Sequence, residues 1–118
     1  MKRFLAAAIL GAITIHAFGA AVVKLVREPG SIAFSLQKGY GVQKEAKNEL
    51  TFTTADGKQI KKITAFSGTT ATEDKKYFSR LTPVQVPKTA GKVRVTGRIF
   101  YCSFEQKFCS VQKIDEEI

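Results

Sequence analysis

Cys102 and Cys109 are the only cysteines of this chain, with six residues between them in the run Arg98-Ile-Phe-Tyr-Cys-Ser-Phe-Glu-Gln-Lys-Phe-Cys-Ser-Val. One short β-like stretch ends at Cys102 and a second begins at Cys109. Two thiols so placed can stay reduced, lock as a disulfide or cycle between the two states. The compartment decides, because thiols are kept reduced in a cytosol and form stable or exchangeable disulfides outside it. Conventional enzyme chemistry has little support. His16 is the single histidine, no glycine-rich phosphate loop follows a strand, and no nucleophile is paired with an activating base.

The first residues argue for the outside of the cytoplasm. Lys2 and Arg3 make a basic start, Phe4 to Ile15 an apolar stretch, and Ala17-Phe-Gly19 or Gly19-Ala-Ala21 a set of small residues for cleavage. Residues 1–21 therefore read as an export signal, with one domain over 22–118. The alternative is an uncleaved anchor over 4–23, whose length approaches the roughly 20 residues of a spanning helix. Gly11, Thr14, His16 and Gly19 dilute that stretch. In both cases the domain is expected to be periplasmic or secreted. With His16 lost in the signal, two cysteines leave too few soft ligands for zinc, so neither a metal nor a cofactor is expected.

The formal charge of the whole chain is +9, and loss of Lys2 and Arg3 with the signal leaves +7. This favours solubility and contact with anionic surfaces. The lysines are scattered, with Lys61-Lys62 and Lys75-Lys76 the only adjacent pairs, and no base-reading motif accompanies them. A solvated basic face is expected rather than a specific nucleic-acid partner.

The elements that must position the cysteines read as strands. Ile32, Phe34 and Leu36 alternate with small or polar residues, as do Leu50 to Thr54. Ala55-Asp-Gly-Lys58 is a turn signal leading into a run from Gln59 to Phe66. Pro83 and Pro87 confine Val84-Gln-Val86 to a short strand near an edge. Val93, Val95, Ile99 and Tyr101 share one face of the next run, with Arg94, Thr96, Arg98 and Phe100 on the other. The last run spans Phe108 to Ile114. Lys44 to Leu50 is the one place for a helical turn, Ser67 to Lys76 reads as a polar loop, and Asp115-Glu116-Glu117 as a solvated tail. Short strands with turns every ten or so residues imply an all-β, immunoglobulin-like antiparallel sandwich.

If the two cysteine-bearing runs form a hairpin with Cys102 facing Cys109, then Ser103 pairs with Phe108 and Phe104 to Lys107 form a four-residue turn. Phe100 then opposes Val111, and Arg98 opposes Lys113. Directly opposed residues have α-carbons about 4.5 to 5.5 Å apart, within reach of a disulfide. Alternation puts Cys102 on the face away from Val93, Val95 and Ile99, where its sulfur would be accessible. Lys107, beside the pair, and Arg98, on the Cys102 face, are candidates to stabilise a thiolate. The plainer reading is a structural staple, the ordinary role of two cysteines in a small exported domain. Closing eight residues is worth about 2.5 kcal/mol in the chain-entropy model, and it constrains a hairpin its own turn already favours.

Val95-Thr-Gly-Arg-Ile-Phe-Tyr-Cys102, the second cysteine a few residues on, and the earlier Gly39-Tyr40-Gly41-Val42 followed by a strand at Leu50 resemble the N-terminal periplasmic domain of the thiol:disulfide interchange protein DsbD and its stand-alone relatives. The resemblance covers about Ile32 to Ile114. It implies an immunoglobulin-like sandwich whose cysteines, here Cys102 and Cys109, take electrons from a membrane or thioredoxin-like protein and pass them to envelope disulfides. It further implies that Tyr40 and an aromatic loop, for which Phe66 is the nearest candidate, shield the redox pair. The cysteine spacing is one residue longer than in that pattern, and the membrane and thioredoxin-like domains are absent. A redox module, a non-catalytic sandwich with a structural disulfide and a basic surface-associating protein remain as alternatives.

Overall fold

Alternation of apolar and polar residues sets the architecture seen in a computed structural model, which describes residues 21–89 and 91–118. Ten strands follow in order: β1 (Val23–Glu28), β2 (Ser31–Leu36), β3 (Tyr40–Gln43), β4 (Glu49–Thr54), β5 (Gln59–Ile63), β6 (Gly68–Thr70), β7 (Tyr77–Leu81), β8 (Val84–Gln85), β9 (Val93–Ser103) and β10 (Cys109–Glu117). All pairings are antiparallel. A three-stranded sheet, β1-β2-β8, packs on a seven-stranded sheet built around β9. The chain is an all-β, immunoglobulin-like antiparallel sandwich. The export signal expected over 1–21 lies outside the described residues apart from Ala21. Val23, the last residue of the alternative anchor, opens β1 and is buried. Among the described residues no helix is long and apolar enough to cross a membrane.

The core lies between the sheets. Val23 and Ile32 come from the small sheet and Val42, Leu50, Phe52, Val93, Val95 and Ile99 from the large one, all essentially inaccessible to water. The period of two that marked Leu50 and Phe52, and Val93, Val95 and Ile99, is thus the period of burial. Each such side chain is worth about 1.5 to 3 kcal/mol when fully buried, so these positions carry the fold.

β9 is the spine. Along one side it pairs with β10 from Arg94 to Cys102; along the other it meets β4 at Val93–Arg98 and β3 at Tyr101–Ser103. β3 and β4 are therefore two halves of one broken line of pairing, interrupted by residues 44–48. Asn48 fills the break: its Oδ1 accepts the Phe100 N–H at 2.7 Å and its amide donates to the Gln43 carbonyl at 2.8 Å. That satisfies backbone groups which would otherwise be buried unpaired. Gly97 is required where β4 lies closest to β9, since a Cβ there would run into the Glu49 carbonyl oxygen and its φ is 156°.

Several expectations are corrected. Lys44 to Leu50 holds a turn and then strand rather than a helical turn. The loop expected over Ser67–Lys76 contains β6, a fully exposed strand held by its ladder to β7 rather than by burial. Asp115, Glu116 and Glu117 are not a tail: they continue β10, where Arg94 pairs with Asp115 at 2.7 Å and Lys92 with Glu117 at 3.5 Å.

Candidate functional site

The turn that brings the cysteines together is the four-residue turn expected from the pattern of side chains. The Ser103 N–H donates to the Phe108 carbonyl at 2.8 Å, and the Lys107 N–H donates to the Ser103 carbonyl at 2.9 Å. The Ser103 hydroxyl accepts the Gln106 N–H at 3.1 Å. Lys107 closes the turn with a φ of 57°, a conformation costing a non-glycine residue about 1 to 2 kcal/mol. In the resulting register Cys102 opposes Cys109, Phe100 opposes Val111, and Arg98 opposes Lys113. Cys102 and Cys109 are joined as a disulfide, with α-carbons 4.0 Å apart, closer than the usual 4.4 to 6.8 Å or so. The pair occupies a narrow position of the ladder, where the two residues do not hydrogen-bond to each other.

The two sulfurs have unequal surroundings. Cys109 is exposed, whereas Cys102 is only 3% accessible. Cys102 does lie on the outer face of the large sheet, but the accessibility expected there is overturned by an aromatic cover. Gly41 of β3 opposes Cys102 across the ladder. Over that glycine stand Phe104, from the turn, and Tyr77, from β7, with ring centroids 5.5 Å apart in an edge-to-face arrangement. The strand order β7-β3-β9-β10 places these rings and the disulfide along one line across the sheet. A cleft of about 180 Å³ opens there, lined by Tyr77, Phe104, Ser103 and both cysteines, with Glu73, Asp74 and Lys107 at its rim.

The electrostatics of the rim are mixed. Lys107 is where the sequence placed it. The carboxylates of Glu73 and Asp74 oppose its effect on a thiolate; Asp74 also accepts the Lys76 N–H at 2.9 Å. The Arg98 guanidinium is engaged with Glu49 at 3.4 Å. Among the described residues, no three His, Cys, Asp or Glu side chains converge as a metal site.

Tyr40 and Phe66, the expected shields, stand elsewhere. Tyr40 neighbours Gly41 in β3, so its side chain takes the opposite face, toward the core, where it packs edge-to-face on Tyr101 at 5.6 Å. Phe66 packs on Phe34 of the small sheet at 6.2 Å. The covering rings are instead Tyr77 and Phe104. Phe104 was legible as a large apolar residue in a turn between two cysteines. Tyr77 carried no sequence signal, since only the pairing of β7 with β3 brings it to the site.

Comparison with known proteins gives no match: no family model, no curated protein and no solved structure is similar to this chain.

Proposed function

We propose that this domain is an exported thiol–disulfide exchange module working through Cys102 and Cys109, similar in role to the DsbD N-terminal domains that its sequence resembles. The observation that carries the reading is the asymmetry of the bond, with Cys109 exposed and Cys102 only 3% accessible beside the Tyr77 and Phe104 rings. Exchange needs one sulfur open to attack and a second that leaves and can return. A thiolate of a reduced dithiol partner attacks Cys109 Sγ, the Cys102–Cys109 bond breaks, and Cys102 leaves as a thiolate that takes a proton from water. The partner's second thiolate then attacks the mixed disulfide and expels Cys109. Two electrons have passed to this domain, and the partner departs as a disulfide. The reverse sequence reduces an envelope disulfide.

The loop closed by the bond supports the same reading. It encloses a hairpin whose turn is already held by backbone and Ser103 hydrogen bonds, so the bond adds little to the fold. The competing reading, a structural staple, is favoured by the burial of Cys102. The reduction potential discriminates between them. A value in the range of exchanging periplasmic thiols is expected, and one well below about −300 mV would establish a structural bond.

A further inference from the structure

We propose that the free edge of β10, starting at Cys109, receives a cysteine-bearing segment of the partner as an added antiparallel strand. This rests on the exchange reading above and adds to it the manner of docking and the sequence that would dock. β10 runs for nine residues without a bulge, and among the described residues it pairs only with β9. A long, regular edge strand is a template for a further strand. Its outward groups follow from the ladder. The Ser103 N–H donates to Phe108, so Ser110, Gln112 and Ile114 turn their backbone groups toward β9, while Cys109, Val111 and Lys113 turn theirs to the open side. The Phe100 N–H, aimed away from β10 at Asn48, fits the same alternation.

The approach to the sulfur points to the same edge. Disulfide exchange is a displacement in which the attacking sulfur lines up with the bond it breaks. The Cys102–Cys109 bond runs across neighbouring strands, with Cys102 toward the centre of the sheet and Cys109 at its margin. A thiolate carried by a strand beyond β10 therefore arrives on the side of Cys109 away from Cys102. On the Cys102 side the rings of Phe104 and Tyr77 stand over the neighbouring Gly41, and Cys102 itself is only 3% accessible. At this end the edge also lacks the charged residues that guard exposed strands: Cys109, Ser110, Val111 and Gln112 are uncharged, and the neighbouring Phe108 is 43% exposed.

The register states what the occupant must carry. Cys109, Val111 and Lys113 present side chains on one face. An antiparallel strand whose cysteine opposes Cys109 places its residue two positions earlier beside Val111 and the one four positions earlier beside Lys113. Lys113 itself lies opposite the cationic Arg98, so the matching side chain is acidic. The fitting segment is acidic-x-apolar-x-cysteine, in extended form.

The test uses the full chain and a short acetylated peptide of that pattern. Its rate of disulfide exchange is compared with that of the same peptide N-methylated at the cysteine and apolar amides, which face β10, or at the intervening amides, which do not. A loss of about tenfold from the first methylation and little from the second is expected, as for removal of ladder hydrogen bonds. Equal rates for all three peptides would overturn the docking. A serine version of the peptide, followed by amide shifts at Val111 and Lys113, separates the two claims: docking without exchange by the cysteine peptide would defeat the exchange reading alone. Concentration-dependent self-association lost in the variant Val111→Pro would make a second copy of the chain the occupant and overturn the proposal.

Discussion

The ring of Phe104 fills the space that a side chain at Gly41 would need: a Cβ there would stand 2.5 Å from the Phe104 Cζ and 2.8 Å from the Tyr77 Cβ. Gly41 also opposes Cys102, so the bare backbone at this point is what lets the aromatic cover settle over the buried sulfur. Cover, glycine and cysteine form one stack contributed by three elements that are distant in sequence.

Substituting Gly41 by Ala should push Phe104 aside, and Phe104→Ala should remove the cover outright. Both variants are expected to fold, to lose on the order of 1 to 3 kcal/mol from the disturbed packing, and to be reduced faster than the parent by a small-molecule dithiol. Stopped-flow reduction with dithiothreitol measures this. Unchanged rates in both variants would show that the rings do not gate the bond.

Replacing both cysteines by serine should leave the sandwich intact, with a loss of about 2 to 3 kcal/mol at most, because the bond closes only a short hairpin. Urea unfolding followed by circular dichroism gives the number. Disappearance of the β signal in water would mean that the bond holds the fold.

In the reduced protein, Cys109 should be alkylated before Cys102. It is exposed at the exit of the turn beside Lys107, while Cys102 sits beneath Tyr77 and Phe104, and exchange requires a thiolate that is accessible. Mass-spectrometric mapping after brief, limiting alkylation at neutral pH decides the order, and preferential labelling of Cys102 would reverse the assignment of attacked and resolving sulfur.

The turn between β4 and β5 should carry its own pH dependence. The Thr54 hydroxyl donates to the Asp56 carboxylate and holds that carboxyl below its ordinary value of 3.8; slight burial opposes this, and the Lys58 amide adds to it. The folded state thus binds this proton less readily than the unfolded state. The associated stability is present above the ordinary carboxylate value and is lost as pH falls through the lower folded one. A carboxyl titration by NMR should show Asp56 with a depressed midpoint that returns toward the ordinary value in Thr54→Val.

Strand period and turn chemistry made the β9–β10 hairpin legible to the residue, including the pairing of Cys102 with Cys109 and of Phe100 with Val111. The same signals located β4, its turn into β5, and the short edge strand β8. They failed where burial does not decide the structure. β6 is a Gly-Thr-Thr segment exposed at every position, and Asp115 to Glu117 keep strand form through their ladder to Thr96, Val95 and Arg94 of β9, with Arg94 and Lys92 pairing two of the three carboxylates. β3 was hidden because Tyr40-Gly-Val-Gln carries a glycine and spans four residues. The cover was beyond reach for a different reason. Tyr77 and Phe104 meet only through the order in which β7, β3 and β9 assemble, and nothing local in either segment encodes that order.

Asn48 gives the sheet a seam. On one side of it β9 is flanked by β4 and β5, which hold Leu50 and Phe52 in the core; on the other it is flanked by β3 and β7, which hold the cysteine end. Among the described strands of the large sheet only β9 and β10 run past the seam, so within that sheet a disturbance at the disulfide reaches the far half along that hairpin. The cysteine end can therefore loosen while the opposite half keeps its packing, so forms with and without the Cys102–Cys109 bond can share one folded frame and differ in the surface they offer at one end.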